Sequence, residues 1–260
     1  MTNFMKGALA VAIVAVLAAV AGTGALAVLI SAAPSLQTPA DNQLTEAEKK
    51  AGWTLLFDGK SLEGWRAYKR PDASTTRWKV ENGALTLPPN DGKDTRGARD
   101  IVSTATFDRF ELTFDFRVAE GANSGVKYYV LEDLDSAIGH EYQIIDDERH
   151  ADAKISIERQ TASLYDVLEP KDRKIKPAGE WNTGRVMAMG PTVEHHLNGT
   201  RVLSYELDSP ALKKAIQDSK FKDVARFGKL NNGHILIQDH GDQVWYRNVK
   251  IRRLAGATTP

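Results

Sequence analysis

Histidine titrates near neutrality, so a His at a strand end, followed by a glycine that loosens the loop, is well placed to act as a general base. His240 has that setting in the stretch His234-Ile235-Leu236-Ile237-Gln238-Asp239-His240-Gly241-Asp242. Strand alternation puts Ile235 and Ile237 on one face, and Leu236, Gln238 and His240 on the other. A second stretch, Glu141-Tyr142-Gln143-Ile144-Ile145-Asp146-Asp147, places Glu141 and Gln143 on a common face, with Ile145 at its end. A carboxylate that accepts hydroxyls, beside an amide that both donates and accepts, suits a sugar. Asn123-Ser124-Gly125 with Lys127 and Tyr129 supplies a further polar set at a turn-to-strand junction, with Lys127 and Tyr129 facing the cleft of Glu141. Each has a plainer alternative: a solvated sheet face for the Glu141 strand, a merely hydrogen-bonded His240, and a turn for the small residues.

Arg247, in Val244-Trp245-Tyr246-Arg247-Asn248-Val249, shares a face with Trp245, Val249 and Ile251 if alternation is strict, an awkward place for a charge unless a bulge intervenes. Its planar fork could hold an enolate-like oxygen or a carboxylate, or form a salt bridge to Asp239 or Asp242. Tyr165 and Trp181 either stack on a sugar face or pack internally, whereas Trp53, Trp65 and Trp78 are expected in the core. Asp146 and Asp147, with Glu148, His150 and Asp152, form an acidic loop that either holds a divalent cation through oxygens or is an ordinary charged loop. His195 and His196 are adjacent in a strand and point to opposite faces, so they cannot share one metal there. Glu111 and Asp115 share a strand face, but nothing separates them from solubilising charges.

These residues need strands to hold them, and the chain reads as strands. Phe110, Leu112, Phe114, Phe116 and Val118 alternate with Glu111, Thr113, Asp115 and Arg117, a period of two with one buried face. Asn82-Gly83 and Asn198-Gly199, each flanked by apolar residues, predict type I′ hairpins. Further strands are expected at 101–104, 125–131, 141–145, 185–189, 234–239 and 244–253. Helix signals are few. Thr45 and Glu48 form a capping box before Ala47–Ala51, and Ser209 caps a helix over Pro210–Phe221. Ten to twelve short strands with so little helix predict an all-β, two-sheet antiparallel jelly-roll sandwich spanning about 52–255.

With 34 basic and 34 acidic residues, the chain has no basic field to attract nucleic acid, and a neutral or small polar partner is expected. It contains no cysteine, which excludes thiol catalysis, Cys-based zinc sites and a lipidated cysteine anchor. Ala8–Ile30 is an uncharged apolar run after Lys6, either a cleaved export signal or a retained N-terminal membrane anchor. Either one places the rest of the chain outside the cytoplasm, in the periplasm or cell envelope. Residues 34–44 have linker composition, and no dinucleotide-binding pattern is present.

Three stretches carry a resemblance: Gly52-Trp53-Thr54-Leu55-Leu56-Phe57-Asp58-Gly59 through Gly64-Trp65, Gly179-Glu180-Trp181-Asn182, and Gln238-Asp239-His240-Gly241-Asp242. With Ser163-Leu164-Tyr165-Asp166 and Arg247-Asn248, they resemble the bacterial 3-keto-disaccharide hydrolase family, also described as 3-keto-glucoside lyase/hydratase domains, over nearly all of 52–254. The resemblance implies a concanavalin-A/laminin-G-like fold and cleavage of 3-keto-glycosides. A ketone at C3 acidifies the C2 hydrogen, a base removes it, the C1 substituent leaves, and water adds to the product. It further implies His240 as base, Arg247 or a bound divalent cation as enolate stabiliser and Glu141 as acid or second base. Asn123, Lys127, Tyr129, Gln143, Gln238 and Tyr165 would then bind substrate. A separate oxidoreductase would supply the keto sugar. A non-catalytic, lectin-like carbohydrate-binding domain and a structural adaptor are the rival readings.

Overall fold

The computed structural model describes residues 40–93, 99–133, 136–224 and 226–256. The apolar run 8–30 lies outside them, and no helix among the described residues is long and apolar enough to cross a membrane. In chain order the elements are α1 (Glu46–Lys50), β1 (Thr54–Leu55), β2 (Trp65–Ala67), β3 (Lys79–Glu81), β4 (Ala84–Leu87), β5 (Ile101–Phe107), β6 (Phe110–Val118), β7 (Asn123–Val130) and β8 (His140–Ile145). Two short 3₁₀ turns follow, then β9 (Asn182–Ala188), β10 (Thr192–Leu197), β11 (Thr200–Glu206), α2 (Pro210–Gln217), β12 (Gly233–Ile237) and β13 (Val244–Arg253). All pairings are antiparallel.

The strands form the expected sandwich. One sheet runs β11-β10-β9-β6-β13-β4-β3, with β1 also on β13, and the other runs β2-β5-β12-β7-β8. Phe110, Leu112, Phe114, Phe116 and Val118 of β6 pack inward against Val126, Tyr128, Tyr142 and Ile144 of β7 and β8. Both Asn-Gly hairpins form, with positive φ at Asn82, Gly83, Asn198 and Gly199, the geometry a type I′ turn requires. The capping box at Thr45 and the Ser209 cap are also present. β1 and β2 were not anticipated, because two- and three-residue strands show too little periodicity.

Two local details differ from the sequence reading. Trp65 and Trp78 are buried, but Trp53 is only half-buried, with the Arg252 guanidinium 5.2 Å from its ring centre. By Asp41, the chain expected as linker is already tied down. Asn42 is buried, donating its amide to Asn248 Oδ1 at 2.6 Å and accepting that of Asn248 at 2.9 Å. Within the core, His140 and His195 flank a tyrosine pair: Tyr128 and Tyr205 hydroxyls meet at 2.6 Å, His195 Nε2 lies 2.8 Å from Tyr128, and His140 Nδ1 lies 2.7 Å from Tyr205. Burial pushes His140 down to about 3 and His195 to about 4, so both are neutral members of the core.

Candidate functional site

The outer face of the five-stranded sheet carries a polar pocket of about 350 Å³. Its floor comes from β7 and β8. Gly125 and Lys127 of β7 register with Gln143 and Glu141 of β8, so their side chains share the face away from the core. Asn123, Glu141 and Gln143 are buried there, and Gln238 enters from the end of β12. Tyr165 and Lys220 arrive on separate loops, and His240 stands exposed at the rim. Its volume and polar lining suit a small polar ligand.

The charges are arranged with care. Lys127 Nζ lies 3.6 Å from Glu141 Oε2 and donates to the Ala137 carbonyl at 3.2 Å. Glu141 fits because residue 125 is glycine, since a Cβ there would come within 2.4 Å of Glu141 Oε1. Asn123 Oδ1 is buried without a partner, and among the described residues neither His240 nor the Lys220 ammonium has a hydrogen-bond or salt-bridge partner. The nearest ring to His240 is that of His150, with centroids 6.4 Å apart. His150 Nδ1 accepts the Asp152 amide, which leaves its own proton on Nε2. Lys220 lies over the Tyr165 ring at 4.0 Å, and partial loss of water holds its ammonium below the usual lysine range.

A network on the covering loop fixes Tyr165 and Lys220. The Tyr165 hydroxyl donates to Asp152 at 2.7 Å, and Arg159 forks between Asp152 and Asp166, at 2.7 and 2.5 Å. Asp166 in turn accepts the Lys220 amide at 2.8 Å. Burial first, and the Asp152 carboxylate second, push the Tyr165 hydroxyl well above its ordinary value, so it remains a neutral donor.

The Gln238-Asp239-His240-Gly241-Asp242 stretch divides its labour. Gln238 and His240 face the pocket. Asp239 turns away, forming a buried salt bridge with Arg77 at 2.7 Å and accepting the amides of Arg99 and Gly241. Asp242 accepts the Asn123 amide at 2.9 Å, fastening this loop to the start of β7.

Seven expected residues therefore meet in one pocket: His240, Glu141, Asn123, Lys127, Gln143, Gln238 and Tyr165. Four do not. Tyr129 has φ of 59° beside a register shift between β7 and β12, so alternation breaks. Its ring turns into the core against Phe110, and its hydroxyl donates to the Asp108 carbonyl. Arg247 lies on the other sheet, on its outer face with Trp245, and a bulge at Asn248 then turns Val249 and Ile251 inward. It pairs with Asp41 at 2.6 Å and Asp115 at 3.4 Å, and lies 4.3 Å over Trp181, which is held between Arg247 and Arg117. Asp146 takes the amides of Gly121 and Glu148, while Asp147 takes that of Thr161 and pairs with Arg173. Their oxygens are thus committed to the loop, and no group of three or more His, Cys, Asp or Glu among the described residues is arranged to hold a metal ion.

Asp100, Lys220 and the 136–139 segment also line the pocket and were not anticipated. Asp100 precedes β5, and only the strand order, which puts β5 beside β12, brings it to the site. Lys220 falls just past α2, where a lysine ordinarily reads as a solvated helix end.

Comparison with known proteins gives consistent matches. A family model described as the 3-keto-alpha-glucoside-1,2-lyase-like domain matches residues 52–252. A Bacteroides thetaiotaomicron protein named 3-keto-disaccharide hydrolase is 33% identical over 247 residues, covering 85% of this chain and 82% of its own. A crystal structure of a candidate glycosyl hydrolase from Parabacteroides distasonis is 31% identical, with a TM-score of 0.75, and covers 83% of this chain and 100% of that one. A second candidate glycosyl hydrolase from the same organism, 26% identical, has a TM-score of 0.60 and covers 78% of this chain and 99% of that one.

Proposed function

We propose that this chain, which belongs to the 3-keto-alpha-glucoside-1,2-lyase-like domain family, is a glycoside-cleaving enzyme acting on 3-keto-glycosides by C2 proton abstraction, elimination and hydration. The observation that carries the proposal is the unpartnered His240 at the rim of a pocket that also holds the Lys127–Glu141 pair and the amides of Asn123, Gln143 and Gln238. His240 takes the C2 proton, made acidic by the neighbouring ketone. Negative charge then gathers on the C3 oxygen. The cationic role expected of Arg247 passes to the pocket's own lysines, Lys127 and Lys220, which carry positive charge where Arg247 does not reach. Glu141 is the pocket's acid or second base, Tyr165 offers an aromatic face and the three amides bind hydroxyls. A separate oxidoreductase forms the ketone, and the reaction takes place outside the cytoplasm, in keeping with the apolar run 8–30.

The test compares release of aglycone from a 3-keto-glucoside and from its unoxidised parent, with and without chelator, by the full chain and by His240→Ala. Only the keto form should be cleaved, and the substitution should slow it by about 10²- to 10⁴-fold. A folded protein that binds the sugar and cleaves neither form would be a lectin-like module instead.

A further inference from the structure

Asp100 is the pocket group that neither the sequence motifs nor the roles above have used. It sits immediately before β5, between the β2 and β12 edges of the sheet, with its side chain lining the same cavity as Glu141 and His240. One oxygen, Oδ1, accepts the Asp239 amide at 2.9 Å, which fixes the carboxyl in place. Asp239 is itself locked by Arg77, so the anchor is rigid. The remaining oxygen has no hydrogen-bond partner among the described residues, and no cation there lies within salt-bridge distance.

The two pocket carboxyls are thus unlike. Glu141 faces the Lys127 ammonium at 3.6 Å. Asp100 is half-buried with no ion pair among the described residues, and loss of water is the first cause that pushes its carboxyl above the usual range, opposed more weakly by the Lys127 charge and the Asp239 amide, with the Glu141 and Asp239 carboxylates adding to it. Two carboxyls in one cavity with such different surroundings, one facing an ammonium and one without an ion pair, is the arrangement that separates acid from base in sugar chemistry.

We propose that Asp100, in place of Glu141, is a catalytic residue for the reaction above, the general acid that protonates the departing glycosidic oxygen and then the base that activates water, while Glu141 holds the Lys127 ammonium. The inference rests on the 3-keto-glycoside reading and deepens it. As His240 takes the C2 proton, the C–H electron pair forms the enolate. When the C3 carbonyl re-forms, C1=C2 closes, the C1–O bond breaks, and the leaving oxygen takes the Asp100 proton. In the second half, water adds to C1 and returns a proton to the Asp100 carboxylate, while the His240 imidazolium returns one to C2. The net change is one water consumed and one alcohol released, with no oxidant or reductant.

An acid that assists departure matters most when the leaving group is a poor one. The full chain and Asp100→Asn are therefore compared on two 3-keto-glucosides, one releasing an alkyl alcohol and one releasing 4-nitrophenol. Asp100→Asn should lower kcat for the alkyl substrate by about 10²- to 10⁴-fold and for the nitrophenyl substrate by less than about tenfold. The ratio between the substrates is independent of how much of the variant folds. Equal losses on both, or none on either, would overturn the role while leaving the 3-keto-glycoside activity standing. An unsubstituted chain that cleaves neither would remove the activity itself, and this role with it.

Discussion

The two outer faces of the sandwich are built from similar residues and organised in opposite ways. On the eight-stranded sheet, charges are closed on one another. Glu111 is buried between Arg185 at 2.6 Å and Arg252 at 2.7 Å, and Asp115 meets Thr183, Asn248 and Arg247. Trp245, Arg117, Trp181 and Arg247 continue the closure as a stack. On the five-stranded sheet, His240, the Lys220 ammonium and Asn123 Oδ1 are left open around one cavity. Polar groups in folded proteins are normally satisfied, so a concentration of unsatisfied ones in a concave place marks a ligand site more reliably than their identity does. Glu111 and Glu141 are both buried carboxylates near cations, and only the second has a cavity in front of it.

The largest expected effect comes from the residue of the site face that behaves like the other face. Asp239 lies in the middle of the site motif, yet its side chain is buried against Arg77, the two side chains being 0% and 1% exposed. Asp239→Ala strands that guanidinium, and breaking such a pair from one side costs about 3–5 kcal/mol. Urea unfolding should register a loss of that size, and activity should fall with it because the Asp239 carboxylate accepts the Gly241 amide beside His240. A loss below about 1 kcal/mol would mean that water or another acceptor satisfies Arg77, and that closure on this side is not structural.

Closure is also the part of the molecule that the sequence conveys least. Strand existence was readable because burial of one sheet face imprints a period of two, and Asn-Gly pairs mark hairpins through their tolerance of positive φ. From these the sandwich follows, and strand alternation puts Glu141 with Gln143 and Gln238 with His240, while the resemblance adds Asn123, Lys127 and Tyr165 as pocket members. Tyr129 misses the pocket because of a bulge, whereas Arg247 misses it because β13 belongs to the other sheet. Each stands next to a β-bulge, and one inserted residue exchanges inside for outside along the rest of a strand. Strict alternation puts the Arg247 charge on the face of Val249 and Ile251, and that conflict is the sequence's trace of the bulge. Asp100 had no trace, because its role depends on β5 lying beside β12, more than a hundred residues away in the chain, and local periodicity contains no strand order.

Gly125 tests how tightly the open face is held. Its φ is not in the left-handed region, so alanine is acceptable to the backbone and even restricts the unfolded chain slightly. The obstacle is Glu141, whose Oε1 would lie 2.4 Å from the new Cβ. Gly125→Ala should therefore displace the carboxylate and lower kcat/KM on a 3-keto-glucoside by about tenfold, equivalent to about 1.4 kcal/mol in the barrier, while the melting temperature moves little. Unchanged activity would show that the position of Glu141 is not needed, either as an acid or base or as the partner that holds Lys127.

The smallest effect is expected at Arg247, where the two faces can be separated most cleanly. Arg247→Met removes the pairs to Asp41 and Asp115 but keeps an apolar side chain over Trp181. The Arg247–Asp41 pair is well exposed, at 28% and 50%, and an exposed pair contributes about 0.2–1 kcal/mol. Stability should fall within that range, measured by urea unfolding, and kcat/KM should stay within about twofold because the whole core lies between this residue and the pocket. If activity instead dropped tenfold at unchanged stability, the partner-closed face would be coupled to the open one through β13. That route exists in outline, since Tyr246, the residue before Arg247, points inward and its hydroxyl lies 2.8 Å from that of Ser124, beside Asn123 and Gly125. A null result at Arg247 therefore argues more than the absence of a catalytic arginine. It would show that the Tyr246–Ser124 contact does not transmit a change on one face to the other, and that the pocket's chemistry is contained in the five-stranded sheet and its loops.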